Sequence, residues 1–246
     1  MITVILNCYK RPHLIREQIQ AIKNQTVKPE EIIIWYNKPE GGNQVDLSDT
    51  GCKVVVANHN FKFHARFALA LLAKTEYVAV FDDDDMPMPG WFESCIDTIN
   101  KGYDGILGSI GVRLKTENSY YPNTKIGWNG IQNESVEEVD LVGHAWFMRK
   151  DHLRHLWRED PVTWENGEDM QLSYLAQKYG GVKTYVPPHP ENNKQIHGAD
   201  ISRSHKYGCD DAASWKTKNH FSDREKTVQE QVKNGWRLVI HGNERR

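Results

Sequence analysis

Four short apolar runs constrain this chain more than any other feature. "TVIL", "EIIIWY", "KVVVA" and "YVAVF" are rich in β-branched and aromatic residues, and each is followed by a polar loop, the pattern of buried strands. Between them, Leu14, Ile15, Ile19 and Ile22 recur at helical spacing, which predicts a helix over residues 12–24. "HARFALALLAK" at residues 64–74 suits a second helix, and Trp91, Phe92, Cys95, Ile96 and Ile99 mark a third that ends near Gly102. Alternating strands and helices predict an α/β fold whose central sheet is mostly parallel, with helices on both faces. The strands near residues 2–6, 32–36, 53–57 and 77–81 are expected in one sheet. Right-handed crossovers then bring the strands' carboxyl ends to one edge, outside which ligands bind in open α/β sheets. The loops "NCYKR", "NKPEGG" (broken at Gly41 and Gly42), "NHNFKFH" and "DDDD" are therefore expected at a common rim.

The second half is less regular. "LVGHAWFM" reads as a strand followed by a helix "KDHLRHLW", and "GEDMQLSYLAQKYGG" as a helix closed by glycines. "VKTYV" reads as a strand stopped by Pro187 and Pro188. Residues 190–222 are polar with little periodicity, a length of irregular chain that is usually functional or mobile. A last helix is expected over residues 223–234, before "WRLVIH".

The 246 residues suffice for one large domain or two small ones. A net charge of −2 does not suggest a nucleic-acid binder. Cys8, Cys52, Cys95 and Cys209 form no CxxC pair and read as reduced thiols of a cytoplasmic protein. The N-terminal apolar run is too short for a signal peptide, and no window reaches the length of a membrane span.

Asp82, Asp83, Asp84 and Asp85 follow "YVAVF" directly. One aspartate suffices to favour the next helix's N-terminus. Four on the ligand rim raise each other's pKa at a cost in stability, which a bound divalent cation removes. Mg²⁺ and Mn²⁺ prefer carboxylate oxygens, and Mg²⁺ commonly adds substrate phosphates. The cluster thus reads as a bridge between protein and a diphosphate.

"ITVILNCYKRPHLIREQIQAIKNQTVKPEEIIIWYN", followed by "YVAVFDDDDMPMPGWFE", resembles the nucleotide-sugar half of GT-A-fold glycosyltransferases, especially family 2. Asn7-Cys8-Tyr9-Lys10-Arg11-Pro12 stands where the family's first strand ends in a Thr-Tyr-Asn-Arg-like loop. The Asp-x-Asp motif falls on Asp82, Asp83 and Asp84. "VGHAWFMRKDHL" and "GEDMQLSY" resemble the later small-residue strand and the Glu-Asp motif, the latter at Glu168 and Asp169. The resemblance covers roughly residues 2–186. Tyr36-Asn37 stands in place of an acidic pair after the second strand, where an amide can still hydrogen-bond a base.

The resemblance implies one GT-A, Rossmann-like catalytic domain over residues 1–246, with a nucleotide-sugar half at 1–105 and an acceptor half at 106–246. It implies sugar transfer from a nucleoside-diphosphate sugar to a hydroxyl of a carbohydrate or glycoconjugate, with Mn²⁺ or Mg²⁺ as cofactor. Asp84 would hold the cation, joined by His197, preferred over His205, from the late chain. Asp82 would accept hydrogen bonds from ribose or base; Asp83 or Asp85 would orient the donor sugar or complete the metal shell. Tyr9 offers the base a stacking face, Asn7 and Asn37 lie in the donor loops, and Lys10, Arg11 and Arg66 are candidates for phosphate contacts. Asp169, beside Glu168, would be the base of an inverting transfer, or would orient substrate if the transfer retains configuration. Trp128, Trp146 and Trp164 are candidates for an acceptor groove, though core positions suit them equally. Two rival readings are a nucleotidyltransferase, whose glycine-rich loop "NCYKRP" lacks, and a non-enzymatic carbohydrate- or nucleotide-binding module.

Overall fold

A computed structural model describes residues 1–38, 41 and 45–245. Within it the side chains of residues 204, 205 and 243–245 are not described, so the His205 side chain and Pro39, Glu40 and Gly42 of the "NKPEGG" loop lie outside. The expected strands form as β1 (Ile2–Cys8), β2 (Glu31–Tyr36), β3 (Lys53–Val56) and β4 (Tyr77–Phe81). Helices α1 (Ile15–Lys23), α2 (Ala65–Leu71) and α3 (Trp91–Asn100) separate them or follow them. The second half adds β5 (Ile106–Leu114), β6 (Asn123–Gly127), β7 (Glu137–Val139) and β8 (Leu141–Arg149). It continues with α4 (Lys150–Leu153), α5 (Glu168–Gly180), β9 (Thr184–Val186), α6 (Ile201–Gly208) and α7 (His220–Lys233).

One sheet runs through both halves in the order β3-β2-β1-β4-β8-β5-β9-β7, with β6 on β5. The pairs among β1–β4 are all parallel, and β5 and β9 share their direction. β6, β7 and β8 run the other way. The sheet is mostly parallel, with the antiparallel strands in the second half, as the GT-A resemblance implies. No helix among the described residues is long and apolar enough to cross a membrane, and all four cysteines are free.

Strand alternation divides the core between the two faces. Ile2, Val4, Leu6 and Cys8 of β1 pack with Ile15, Ile19 and Ile22 of α1 and with Trp91, Phe92, Cys95 and Ile99 of α3. Ile5 of β1 and Val78 and Val80 of β4 point the other way, onto Phe67 and Ala70 of α2 and Leu172 and Ala176 of α5. Both faces of β1 and β4 are thus covered, and their carboxyl ends are left for a ligand.

Two stretches differ from the sequence reading. "ILGSIGVRL" is a nine-residue strand, β5, although its glycines and lack of alternation give no strand signal. Gly108 and Gly111 are needed because a Cβ at either would stand 2.3–2.5 Å from Val142 or Val186. Residues 190–222 are also more ordered than their composition suggests. They contain α6, whose N-cap Asp200 accepts from the Ser202 amide, and a 3₁₀ turn at Ser214–Lys216.

Candidate active site

The register of the sheet assembles the site. Leu6 of β1 pairs with Phe81 of β4 in parallel, so Asn7–Arg11 and Asp82–Asp85 leave the sheet side by side. On the other side of β4, antiparallel β8 pairs Ala145 with Phe81, and the Asp82 amide donates to the His144 carbonyl at 2.8 Å. The β5–β8 register slips between Gly108 and Ile110, and within the slip His144 adopts φ +66°. A bulge of this kind re-aims a side chain, and a left-handed histidine costs strain that persists where surrounding structure holds it. Here it turns the imidazole toward the aspartates. One carboxylate oxygen each of Asp82 and Asp84 and a ring nitrogen of His144 lie within 4.8 Å of one another.

The four aspartates have four different surroundings. Asp82 accepts from Arg66 Nη1 at 2.5 Å. Asp83 accepts from Arg11 Nη1 at 2.5 Å. Asp84 is 9% exposed and lies 3.3 Å from the same Arg11 nitrogen. Asp85 is fully buried against the Ser109 hydroxyl at 3.3 Å, and burial pushes its carboxyl well above the usual range. Its side chain lies in the core and lines neither lobe of the cleft, unlike those of Asp82, Asp83 and Asp84. Gln18 of α1 pins the whole turn by donating to the carbonyls of Asp82 and Asp85 at 2.6 and 2.7 Å.

Carboxylates outnumber cations here. Asp82, Asp83, Asp84, Glu168 and Asp169 face Arg11, Arg66 and Arg224. Burial, and after it the charge of Asp82, push the Asp84 carboxyl up to about 7. Burial and then Asp169 push Glu168 up to about 7 as well, against the pull of Arg66. Burial lowers the pKa of the His144 imidazole, favouring the neutral form that binds metals. Two carboxylates and an imidazole within reach of one another are a donor set that fits a divalent cation.

The histidine in this group is His144 and not His197. His197 is 4% exposed, donates Nε2–H to the Pro190 carbonyl at 2.8 Å and packs on His189, 5.0 Å between ring centroids. Nothing in the spacing marked His144, a lone histidine in an apolar strand; only the bulge gives it a role.

The cleft has two lobes. The first, about 470 Å³, is lined by Asn7, Tyr9, Lys10, Arg11 and Asp82–Asp84, and is roofed by residues 211–219. The second, about 420 Å³, contains Glu168, Asp169 and Arg224. Arg66, Asp82, His144, Asn166 and Trp215 border both. Asn7 and Tyr9 thus stand where the sequence puts them, and the Tyr9 hydroxyl accepts from Asn60 at 3.1 Å.

Asn37 does not face the cleft. It is 3% exposed, its amide donates to Asn60 Oδ1 and the Lys62 carbonyl, and its oxygen accepts from the Phe61 amide. With those groups engaged, it shapes the 58–62 loop and cannot read a base. Arg11 and Arg66 reach the cleft wall but serve first as counter-ions. Arg11 also holds Asp210 through Nε and Nη2 at 2.9 and 2.7 Å, and Arg66 holds Glu168 at 2.8 Å. Among the described residues, Lys218 lines the first lobe without such a partner. Of the tryptophans, Trp128 and Trp146 are buried, though Trp146 borders the second lobe, and Trp164 is exposed.

Residues 3–157 match the sequence profile of glycosyl transferase family 2. The chain belongs to glycosyl transferase family 2. The match takes in Asp82–Asp85 and His144 and ends before Glu168, Asp169 and Arg224. Membership in this family favours sugar transfer over the nucleotidyltransferase reading. Among solved structures, that titled "Crystal structure of S. aureus TarS" aligns with a TM-score of 0.53 at 15% identity, covering 76% of this chain. The likeness at that identity is one of fold, and the alignment spans 36% of the TarS chain. No curated protein sequence matches this chain.

Proposed function

We propose that this glycosyltransferase moves a sugar from a nucleoside-diphosphate sugar to an acceptor hydroxyl, inverting the anomeric centre, with Mn²⁺ or Mg²⁺ held by Asp82, Asp84 and His144. The observation that carries this reading is the meeting of those three ligand atoms within 4.8 Å, at the junction of the two lobes. The one sheet running through both halves supports treating residues 1–246 as one catalytic domain.

The donor lies in the first lobe, its base against Tyr9 and its diphosphate toward the acidic turn. A bound cation supplies stabilisation of the negative charge that develops on the leaving diphosphate. Lys10 and Lys218 lie in the same lobe and add to it. The acceptor enters from the second lobe, and Asp169 takes the proton of its hydroxyl as the new bond forms. Residues 211–219 exclude water from the donor, limiting its hydrolysis. The reading is tested by isothermal calorimetry and initial rates with a panel of nucleotide sugars, with and without Mn²⁺. Absence of metal-dependent donor binding across the panel would sink it.

The roof is latched to the acidic turn through Arg11, which bridges Asp83 and Asp84 to Asp210. Asp210→Asn is expected to loosen residues 209–219. The Asp210 side chain is 41% exposed, so the pair is worth only about 1 kcal/mol, roughly a five-fold rise in donor KM. Hydrogen exchange over this segment should rise alongside. Unchanged exchange would show that Arg11 does not hold the roof.

Asp84 also ties metal binding to pH. Its carboxyl titrates at about 7 in the folded chain and at about 3.9 in an unfolded one. Between those values the folded chain holds more protons, so the metal-free protein loses stability as pH rises from ~4 to ~7. A divalent cation takes the place of the lost proton. The Mn²⁺-induced rise in Tm is therefore expected to be larger at pH 8 than at pH 6. A larger rise at pH 6 would contradict the assignment of Asp84 as a ligand.

A further inference from the structure

Arg11 holds three carboxylates at once. Its Nη1 lies 2.5 Å from Asp83 and 3.3 Å from Oδ2 of Asp84, while Nε and Nη2 take the two oxygens of Asp210 at 2.9 and 2.7 Å. A guanidinium is planar and rigid. Nη1 therefore cannot move relative to Asp84 without carrying Nε and Nη2, and with them Asp210.

Asp210 stands at the start of the roof, and its Oδ1 also accepts from the Ala212 amide at 2.8 Å. Just before it, Gly208 ends α6 so close to the acidic turn that a Cβ there would stand 3.2 Å from Asp84 Oδ2. The oxygen that meets Arg11 thus also lies under the end of α6. α6 has its own anchor on α1: the Tyr207 hydroxyl donates to Glu17 at 3.2 Å, and Arg203 pairs with Glu17 at 2.6 Å. The stretch that depends on Arg11 is the one after the helix, residues 209–219.

We propose that Arg11 competes with the divalent cation for Asp84, so that metal binding loosens the Arg11–Asp210 latch and frees the roof of the first lobe. The inference rests on the metal group of Asp82, Asp84 and His144 given above and adds how its loading reaches the roof. Metal–oxygen bonds are about 2 Å long, so a cation on Asp84 stands close to a guanidinium that is already 3.3 Å from that carboxylate. The two positive charges repel, and at a buried site water and salt screen them little. Arg66 stands against Asp82 in the same way, at 2.5 Å, but it has nowhere to carry the strain. Its side chain is 2% exposed, its second partner is the buried Glu168, and its guanidinium lies 4.9 Å from the Trp146 ring centroid. The far partner of Arg11 has a side chain 41% exposed, so Arg11 is the one that can yield.

The test reads metal affinity and roof mobility without turnover. Mn²⁺ binding is measured at pH 8, with no nucleotide present, from the electron paramagnetic resonance of the free ion. Asp83→Asn/Arg11→Met removes the closest charge pair and leaves the net charge as it was. It is expected to bind Mn²⁺ about 10-fold more tightly than the wild type, within the range usual for coupled sites. Coupling is reciprocal, so Mn²⁺ alone, at concentrations shown to be bound, should quicken hydrogen exchange over residues 209–219 of the wild type. Arg11→Lys keeps the charge but has no fork to grip both ends; exchange there should already be fast and should not respond to Mn²⁺. Equal or weaker Mn²⁺ binding by the folded double variant overturns the competition. So does wild-type exchange that is unchanged or slowed by bound Mn²⁺, and this result decides the matter alone if thermal unfolding shows the double variant to be unfolded. Absence of Mn²⁺ binding in the wild type and both variants instead overturns the metal group on which the inference rests.

Discussion

Asp169→Asn is expected to lower transfer by about 10²- to 10⁴-fold, the usual range for losing a general base, with metal and nucleotide-sugar affinity retained. Asp169 lies in the first turn of α5 and is 8% exposed. Its Oδ1 accepts from the Met170 amide at 2.8 Å and from Arg224 Nη1 at 3.2 Å; its Oδ2 accepts from Arg224 Nη2 at 2.7 Å. One lone pair of Oδ2 thus stays open for the acceptor hydroxyl. The arginine fixes the direction in which it points. Asparagine keeps the shape but cannot take up the proton.

The same geometry changes what the substitution does to stability. Read as an acid in a first helical turn, Asp169 would contribute only about 0.3–1 kcal/mol. The structure makes it one half of a buried pair, and removing one partner of such a pair costs about 3–5 kcal/mol by stranding the other charge. A fall in activity could then reflect unfolding. Asp169→Asn/Arg224→Met removes both charges and is expected to recover most of the lost Tm without recovering transfer. Initial rates beside thermal unfolding check both variants. Near-wild-type transfer by either one would remove Asp169 from the base role.

The second large effect is expected at the metal group. Asp84→Asn and His144→Ala should each weaken Mn²⁺-dependent donor binding by more than the roughly 10- to 100-fold typical of losing a ligand's supporting partner. His197→Ala should leave that dependence intact, since His197 gives its Nε2–H to Pro190. Calorimetric titration of UDP at several Mn²⁺ concentrations separates the two histidines. A loss with His197→Ala equal to that with His144→Ala would restore His197 to the site. Arg11 must be watched in Asp84→Asn, because its Nη1 still has Asp83 at 2.5 Å; that second partner should keep the turn folded.

Much of the first half was legible because local pattern and tertiary role coincide there. Residues of β1 and β4 alternate between two helical layers, so they are apolar on both faces and read as continuous buried runs. Loops after such strands must converge on one edge, which is why Tyr9, Arg11 and Asp82–Asp84 line one lobe. The second half was harder to read because β5 is specified by what it must avoid. Its glycines admit Val142 and Val186 at distances no side chain would allow, and a glycine carries no periodic signal.

The sequence by itself determined the parallel α/β framework, the acidic turn at its carboxyl edge and the later Glu168-Asp169 pair, because strand period, helix period and order along the chain are local properties. The tertiary structure decided how those acids divide the work. It turned Asp85 into the core and gave Asp83 to Arg11. It brought His144 to Asp82 and Asp84 through a bulge. It also set Arg224, fifty-five residues away along the chain, against Asp169. Partners so distant in sequence are matched by sheet register and helix packing, and neither leaves a mark on the residues within one window of chain.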